Sequence, residues 1–187
     1  GFRISASALG GLGLVRNDVQ CYGNYYERRQ RGARMIGDIL SPRAVIAALA
    51  ARGKKQLLQD LSVQAAPFAG CAAHAVFDAL WAREMLGTTG IGNGLAIPHA
   101  RIKGLDEVMG FFARLDEPIA FAAVDDKPVD LVFVLLSPES AAADHLEALS
   151  AVAGFLREAK LCAALRRADD AAAIYELLTG VEAAVAA

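Results

Sequence analysis

The chain has 187 residues, a formal net charge of −2 and an apolar fraction of 55%. That length fits one domain with a core of its own, and the slightly acidic balance excludes a generic nucleic-acid binder, which carries a strong basic excess. Cys21, Cys71 and Cys162 match neither a disulfide framework nor a CxxC metal site, so a reducing cytoplasm is expected, and no apolar run reaches the ~20 residues that span a bilayer.

Residues 1–34 differ in character from the remainder of the chain. They hold Gly10, Gly11, Gly13, Gly23 and Gly32, the Tyr22–Tyr26 aromatic cluster and the run Arg28-Arg29-Gln30-Arg31. They read as an N-terminal extension, flexible or upstream of the natural start, with the arginines facing solvent. Regular periodicity opens at Met35. Ser41 as a cap, Pro42 at a first helical position and Gly53 at an exit predict a helix between them. Leu57, Leu58, Leu61 and Ala65 predict a second helix that stops at Pro67. A third covers 72–85, with Val76, Phe77, Leu80 and Trp81 turned inward and Gly87 ending it. Strand-like runs come next at Leu95–Pro98, Val108–Leu115 and Leu131–Leu136, the last so apolar that it predicts a central strand buried on both faces. Residues 142–158 return to helical spacing through Leu146, Leu149, Val152 and Leu156. A final helix covers Asp170–Leu178, before Gly180 and an alanine-rich tail at 181–187. Helices interleaved with strands point to an α/β sandwich.

The stretch Gly87–Gly94, at the head of the run that ends in Ile97-Pro98-His99, invites a nucleotide reading and fails it. A phosphate loop needs Gly-Lys-Ser/Thr entering a helix, whereas here a helix precedes and a strand comes after. The glycines alone read as a tight helix-to-strand turn. Thr88 and Thr89 add hydroxyls that could face an anion. His99, delivered by a proline at a strand end, suits nucleophilic or proton-transfer work, with metal, acid–base and phosphate roles all open. His145 opens an amphipathic helix just after the apolar strand, where free N–H groups favour an anion. Arg83 lies on the helix that leads into the glycine turn. It either forms a surface salt bridge with Glu84 or a neighbour or offers a guanidinium to a phosphoryl group. His74, Cys71 and Cys162 read as surface or packing residues, and Asp125-Asp126 as turn chemistry. No GxSxG elbow, HExxH helix or EF-hand loop occurs.

The run Arg83-Glu84-Met85-Leu86-Gly87-Thr88-Thr89-Gly90 and its continuation to His99 resembles the signature of the fructose/mannitol-type enzyme IIA domain. These domains are phosphocarriers of the bacterial phosphoenolpyruvate-dependent phosphotransferase system. The likeness extends through Pro118-Ile119-Ala120-Phe121, Asp125 to Phe133, and Asp144-His145-Leu146, over about residues 35–180. Ile39-Leu40-Ser41-Pro42, Lys54-Lys55 and Phe77-Asp78-Ala79-Leu80 resemble the nitrogen-regulatory branch.

The resemblance implies an α/β fold whose mostly parallel mixed sheet has one antiparallel strand and is flanked by helices on both faces. It implies that His99 accepts a phosphoryl group on Nε2, that His145 stabilises it by hydrogen bonding, and that Arg83 neutralises its charge. It also implies an HPr-like phosphocarrier as donor, fed by an enzyme I, and no cofactor or metal. Regulatory targets such as potassium transporters or sensor kinases would read the phosphorylation state, without nucleic acid or membrane insertion. The alternative within the family is a sugar-specific enzyme IIA that passes phosphate to a separate IIB cysteine. The glycines around His99 are expected to give a protein donor clearance.

Overall fold

A computed structural model describes residues 32–180. Of the expected N-terminal extension only 32–34 fall within that range, and the tail at 181–187 lies outside it. Helix α1 covers residues 32–39, followed by β1 (Leu40–Leu49), α2 (Lys54–Ala69), α3 (Ala73–Met85) and β2 (Gly90–Gly92). Then come β3 (Leu95–Ala96), β4 (His99–Ile102), β5 (Met109–Ile119), β6 (Val129–Pro138), α4 (Ala142–Leu156), α5 (Ala159–Arg167) and α6 (Ala171–Thr179).

The sheet runs β1-β5-β6-β3-β2, with β4 also paired to β6. Three pairings are parallel (β1/β5, β3/β6, β4/β6) and two antiparallel (β5/β6, β2/β3). Helices flank this mixed sheet on both faces. Its centre is β6, in which Leu131 to Leu136 are all buried, so the expectation of an apolar central strand is met. Phe112, Phe121 and Phe133 fill the space around it without exposure.

Four local expectations give way. The helix predicted between Ser41 and Gly53 is the strand β1. Val45 and Ile46 register against Phe112 and Ala113, and Leu40, Ala44 and Val45 are buried. Pairing and burial override the helical cues there, and Pro42 is tolerated because β1 is an edge strand. Ser41 caps no helix, and its buried hydroxyl has no hydrogen-bond partner among the described residues. Helix α2 runs past Pro67 to Gly70, whose left-handed conformation ends it. Phe77 and Trp81 stack on each other at 6.1 Å, half-exposed on the flank of α3, while Val76, Leu80 and Glu84 face inward. On α4, Leu146 points to solvent, 66% exposed.

The glycine segment is also more than a turn. Asn93 and Gly94 both have positive φ, 56° and 79°, as a two-residue type I′ hairpin requires, and they join β2 to β3. Asn93 N–H donates to Asp125 at 2.9 Å, and Arg166, paired with Asp130, donates to the Asn93 carbonyl at 2.8 Å. Asp125 is thereby the turn residue it was expected to be. Gly90, Gly92 and Gly94 are buried and pack against neighbouring segments, whereas Gly87 is exposed with open space where a side chain would stand. A Cβ on Gly90 would meet the backbone of Ala123 at 2.8 Å, and one on Gly94 would meet Arg166 and Asp130. Gly90→Ala is therefore expected to destabilise the fold by about 1–3 kcal/mol, the usual cost of overpacking. Urea denaturation would show this as a lower midpoint at unchanged slope.

Candidate functional site

The strands β3 and β4 run in line along β6 but are broken at Ile97-Pro98. His99 was expected at a strand end; it instead opens a strand, opposite Leu135, directly after that break. Through the break the Pro98 carbonyl still accepts from the Leu135 N–H of β6 at 2.9 Å, while the Ile97 carbonyl lies 2.8 Å from His99 Nδ1. A carbonyl only accepts, so Nδ1 carries the hydrogen and Nε2 keeps a lone pair. Arg83 Nε–H donates to that Nε2 at 3.0 Å, and Arg83 Nη1–H donates to the Gly87 carbonyl at 3.0 Å.

Arg83 owes its direction to its neighbour. Glu84 points the other way, into the protein, with its residue 6% exposed. It accepts from Lys54 at 2.6 Å and from both N–H and hydroxyl of Thr89. This buried anchor ties α2, α3 and β2 together and leaves Arg83 on the cleft side. The surface pair of Arg83 with Glu84 therefore does not form. Thr88 and Thr89 are likewise used internally: the Thr88 hydroxyl donates to the Phe121 carbonyl and the Thr89 hydroxyl to the Glu84 carboxylate.

His145 comes from the first turns of α4, buried, with its ring centroid 5.4 Å from that of His99 at a tilt of 48°. Its Nδ1 lies 2.7 Å from the Ser137 hydroxyl. The three residues singled out from sequence thus line one cleft of about 800 Å³, together with Arg101, Glu139 and the exposed Leu86 and Leu146. His74 sits exposed on α3, away from it, and Cys162 is buried with its thiol donating to the Leu156 carbonyl. Sequence reasoning missed Arg101 and Ser137. Arg101 comes after His99 at the strand period of two; Ser137 is the polar residue that ends the apolar run of β6.

Burial holds the His99 pKa below the ordinary imidazole range, with the Arg83 charge acting in the same direction. The Ile97 carbonyl and Glu84 oppose them. Burial also lowers His145, followed by the charges of His99, Arg101 and Arg83. Both rings are therefore neutral near pH 7. The unfolded chain binds these protons more readily than the folded one, so the stability they confer is complete above about pH 6.5 and is lost as pH falls below it. An NMR titration of the two rings is expected to give midpoints below that value.

A neutral imidazole lone pair, a guanidinium beside it and a second imidazole within reach suit transfer of an anionic group to nitrogen. Among the described residues no three His, Cys, Asp or Glu side chains gather as metal ligands would. The family described as "Phosphoenolpyruvate-dependent sugar phosphotransferase system, EIIA 2" matches residues 38–181. The chain belongs to that family. Over 143 residues, 76% of this chain and 94% of the relative, it is 49% identical to a nitrogen regulatory protein of Bradyrhizobium diazoefficiens. A fructose-specific EIIA component of Haloferax volcanii is 36% identical over 129 residues, 69% of this chain and 82% of that one. The fold of this EIIA domain is similar to the crystal structure of the nitrogen regulatory protein IIA-Ntr from Neisseria meningitidis. The two share a TM-score of 0.74 and 37% identity, over 78% of this chain and 99% of that one. No helix among the described residues of this EIIA domain is long and apolar enough to cross a membrane.

Proposed function

We propose that this EIIA domain is a regulatory phosphocarrier whose acceptor is His99. The observation that carries the reading is the state of Nε2: its lone pair is directed at the cleft while Nδ1–H is held by Ile97. In the transfer, an N–P bond on a phosphohistidine of an HPr-like carrier breaks as a new one forms to His99 Nε2. The donor ring recovers a neutral lone pair, and His99 keeps its Nδ1 proton throughout. Such a step needs positioning and charge stabilisation more than further reactive groups. Arg83 exchanges its bond to Nε2 for bonds to the phosphoryl oxygens, and His145 donates to another of them.

The regulatory role draws on the similarity to nitrogen regulatory proteins. Its readout is binding of target proteins, such as potassium transporters or sensor kinases, that depends on the phosphorylation state. Intact-protein mass spectrometry after incubation with phosphoenolpyruvate, enzyme I and the HPr-like carrier tests the activity. A chain that gains no phosphoryl group in that mixture refutes it.

The similarity to a fructose-specific EIIA component favours a second reading, in which phosphate passes on to a cysteine of a separate IIB protein. Mixing the phosphorylated chain with fructose-type IIB domains separates the two. Fast transfer to cysteine supports sugar transport; a stable phosphoprotein supports regulation.

A further inference from the structure

We propose that Ser137 is a positioning residue that sets the tautomer of His145, donating its hydroxyl hydrogen to Nδ1 so that Nε2–H remains as the ring's donor to a phosphoryl group on His99. This inference rests on the phosphocarrier reading for its purpose, but its physical content is separate from it.

Ser137 lies on β6 opposite Arg101 of β4, two residues along from the pair Leu135 and His99. Residues paired across parallel strands share a face, and so do residues two apart. Ser137 therefore lies on the face of the sheet that carries His99. Helix α4 lays His145 over that face, and Oγ approaches Nδ1 to 2.7 Å.

A serine hydroxyl offers one hydrogen and two lone pairs, and its hydrogen rotates to suit its surroundings. Ser137 has no exposure at all, and among the described residues His145 Nδ1 is its hydrogen-bond partner. If Nδ1 carried the hydrogen, the hydroxyl hydrogen would be buried with no acceptor, the more costly arrangement. An idle oxygen lone pair costs much less. The hydroxyl therefore donates, Nδ1 accepts, and the neutral ring carries its proton on Nε2.

The choice of a hydroxyl also has chemical sense. A carboxylate in the same place would pull His145 toward the imidazolium and add a negative charge beside an incoming phosphate. A hydroxyl fixes the tautomer and adds no charge. His145 is then a neutral donor of fixed direction, in keeping with the lowered pKa that burial and the charges of His99, Arg101 and Arg83 give it. His99 has the opposite pattern, with Nδ1–H on a carbonyl and a bare Nε2. One ring presents a lone pair and its neighbour presents a hydrogen.

The test is two-bond ¹H–¹⁵N correlation NMR of the full chain labelled at histidine nitrogen, recorded above the imidazole titration. The expected result is a protonated Nε2 on His145 and a protonated Nδ1 on His99. A His145 ring protonated on Nδ1 overturns the proposal without any reference to phosphorylation. Ser137→Ala, with its fold verified from the same spectra, is expected to mix the His145 tautomers and slow phosphorylation roughly 10-fold. Ser137→Thr, which keeps the hydroxyl, is expected to recover the single tautomer. An unchanged tautomer and rate in Ser137→Ala also overturns it. A wild-type chain that takes no phosphate, yet shows the expected tautomers, defeats the phosphocarrier reading and leaves the role of Ser137 in orienting the ring intact.

Discussion

His99→Ala gains no phosphoryl group from phosphoenolpyruvate, enzyme I and the HPr-like carrier, at any time of incubation. The expectation is absolute because no second nucleophile is set up in the cleft. His145 presents its nitrogen to Ser137 rather than a lone pair to the donor, and Glu84 is turned away and saturated. Mass spectrometry under non-acidic conditions reads the result, since phosphohistidine is acid-labile. Circular dichroism would verify that the variant still folds. Acid-labile phosphate on the His99→Ala chain would move the acceptor elsewhere. His145→Ala, by contrast, is expected to accept phosphate more slowly but still to completion.

The second large effect belongs to Arg83. Its guanidinium donates to Nε2 of His99, the nitrogen proposed to accept the phosphoryl group, and so stands ready to meet the phosphoryl oxygens there. Preorganised donors of this kind contribute about 10²–10³-fold to rate when removed singly, so Arg83→Ala is expected to slow phosphorylation by that factor in rapid-quench assays. Arg83→Lys should recover only part of it. A lysine ammonium is a point charge on a flexible stem and cannot bond Gly87 and the ring edge together as the planar fork does. Equal rates for Arg83→Lys and the wild type would reduce the role of Arg83 to charge alone.

Most of the site was legible in the sequence, because its parts sit beside strong local signals. Pro98 announces His99 and the apolar run of β6 announces the helix that carries His145, whereas the choice between the two readings of Arg83 came from the family resemblance. The α/β class was legible in helices interleaved with strands, one of them this apolar run, while the mixed sheet with helices on both faces was implied by the family resemblance. The misreading of β1 arose because partners distant in sequence decide. Ser41-Pro42 and Gly53 form a sound local case for a helix, but β5 lies waiting as a strand partner and α6 covers the result. Asn93-Gly94 was the opposite case, a plain hairpin signal overlooked because the surrounding glycines suggested a loop. Ser137 has no periodicity to betray it. Only the turn from β6 into α4 brings it against a histidine eight positions later.

The Ile97 carbonyl also has a regiochemical consequence. Pro98 keeps its own carbonyl on β6, where the Leu135 N–H donates to it, while the Ile97 carbonyl, one residue back, lies against His99 Nδ1. On the proposed phosphocarrier reading, the backbone thereby selects Nε2 over Nδ1 as the nitrogen left for a phosphoryl group. A main-chain oxygen, not a side chain, makes that choice.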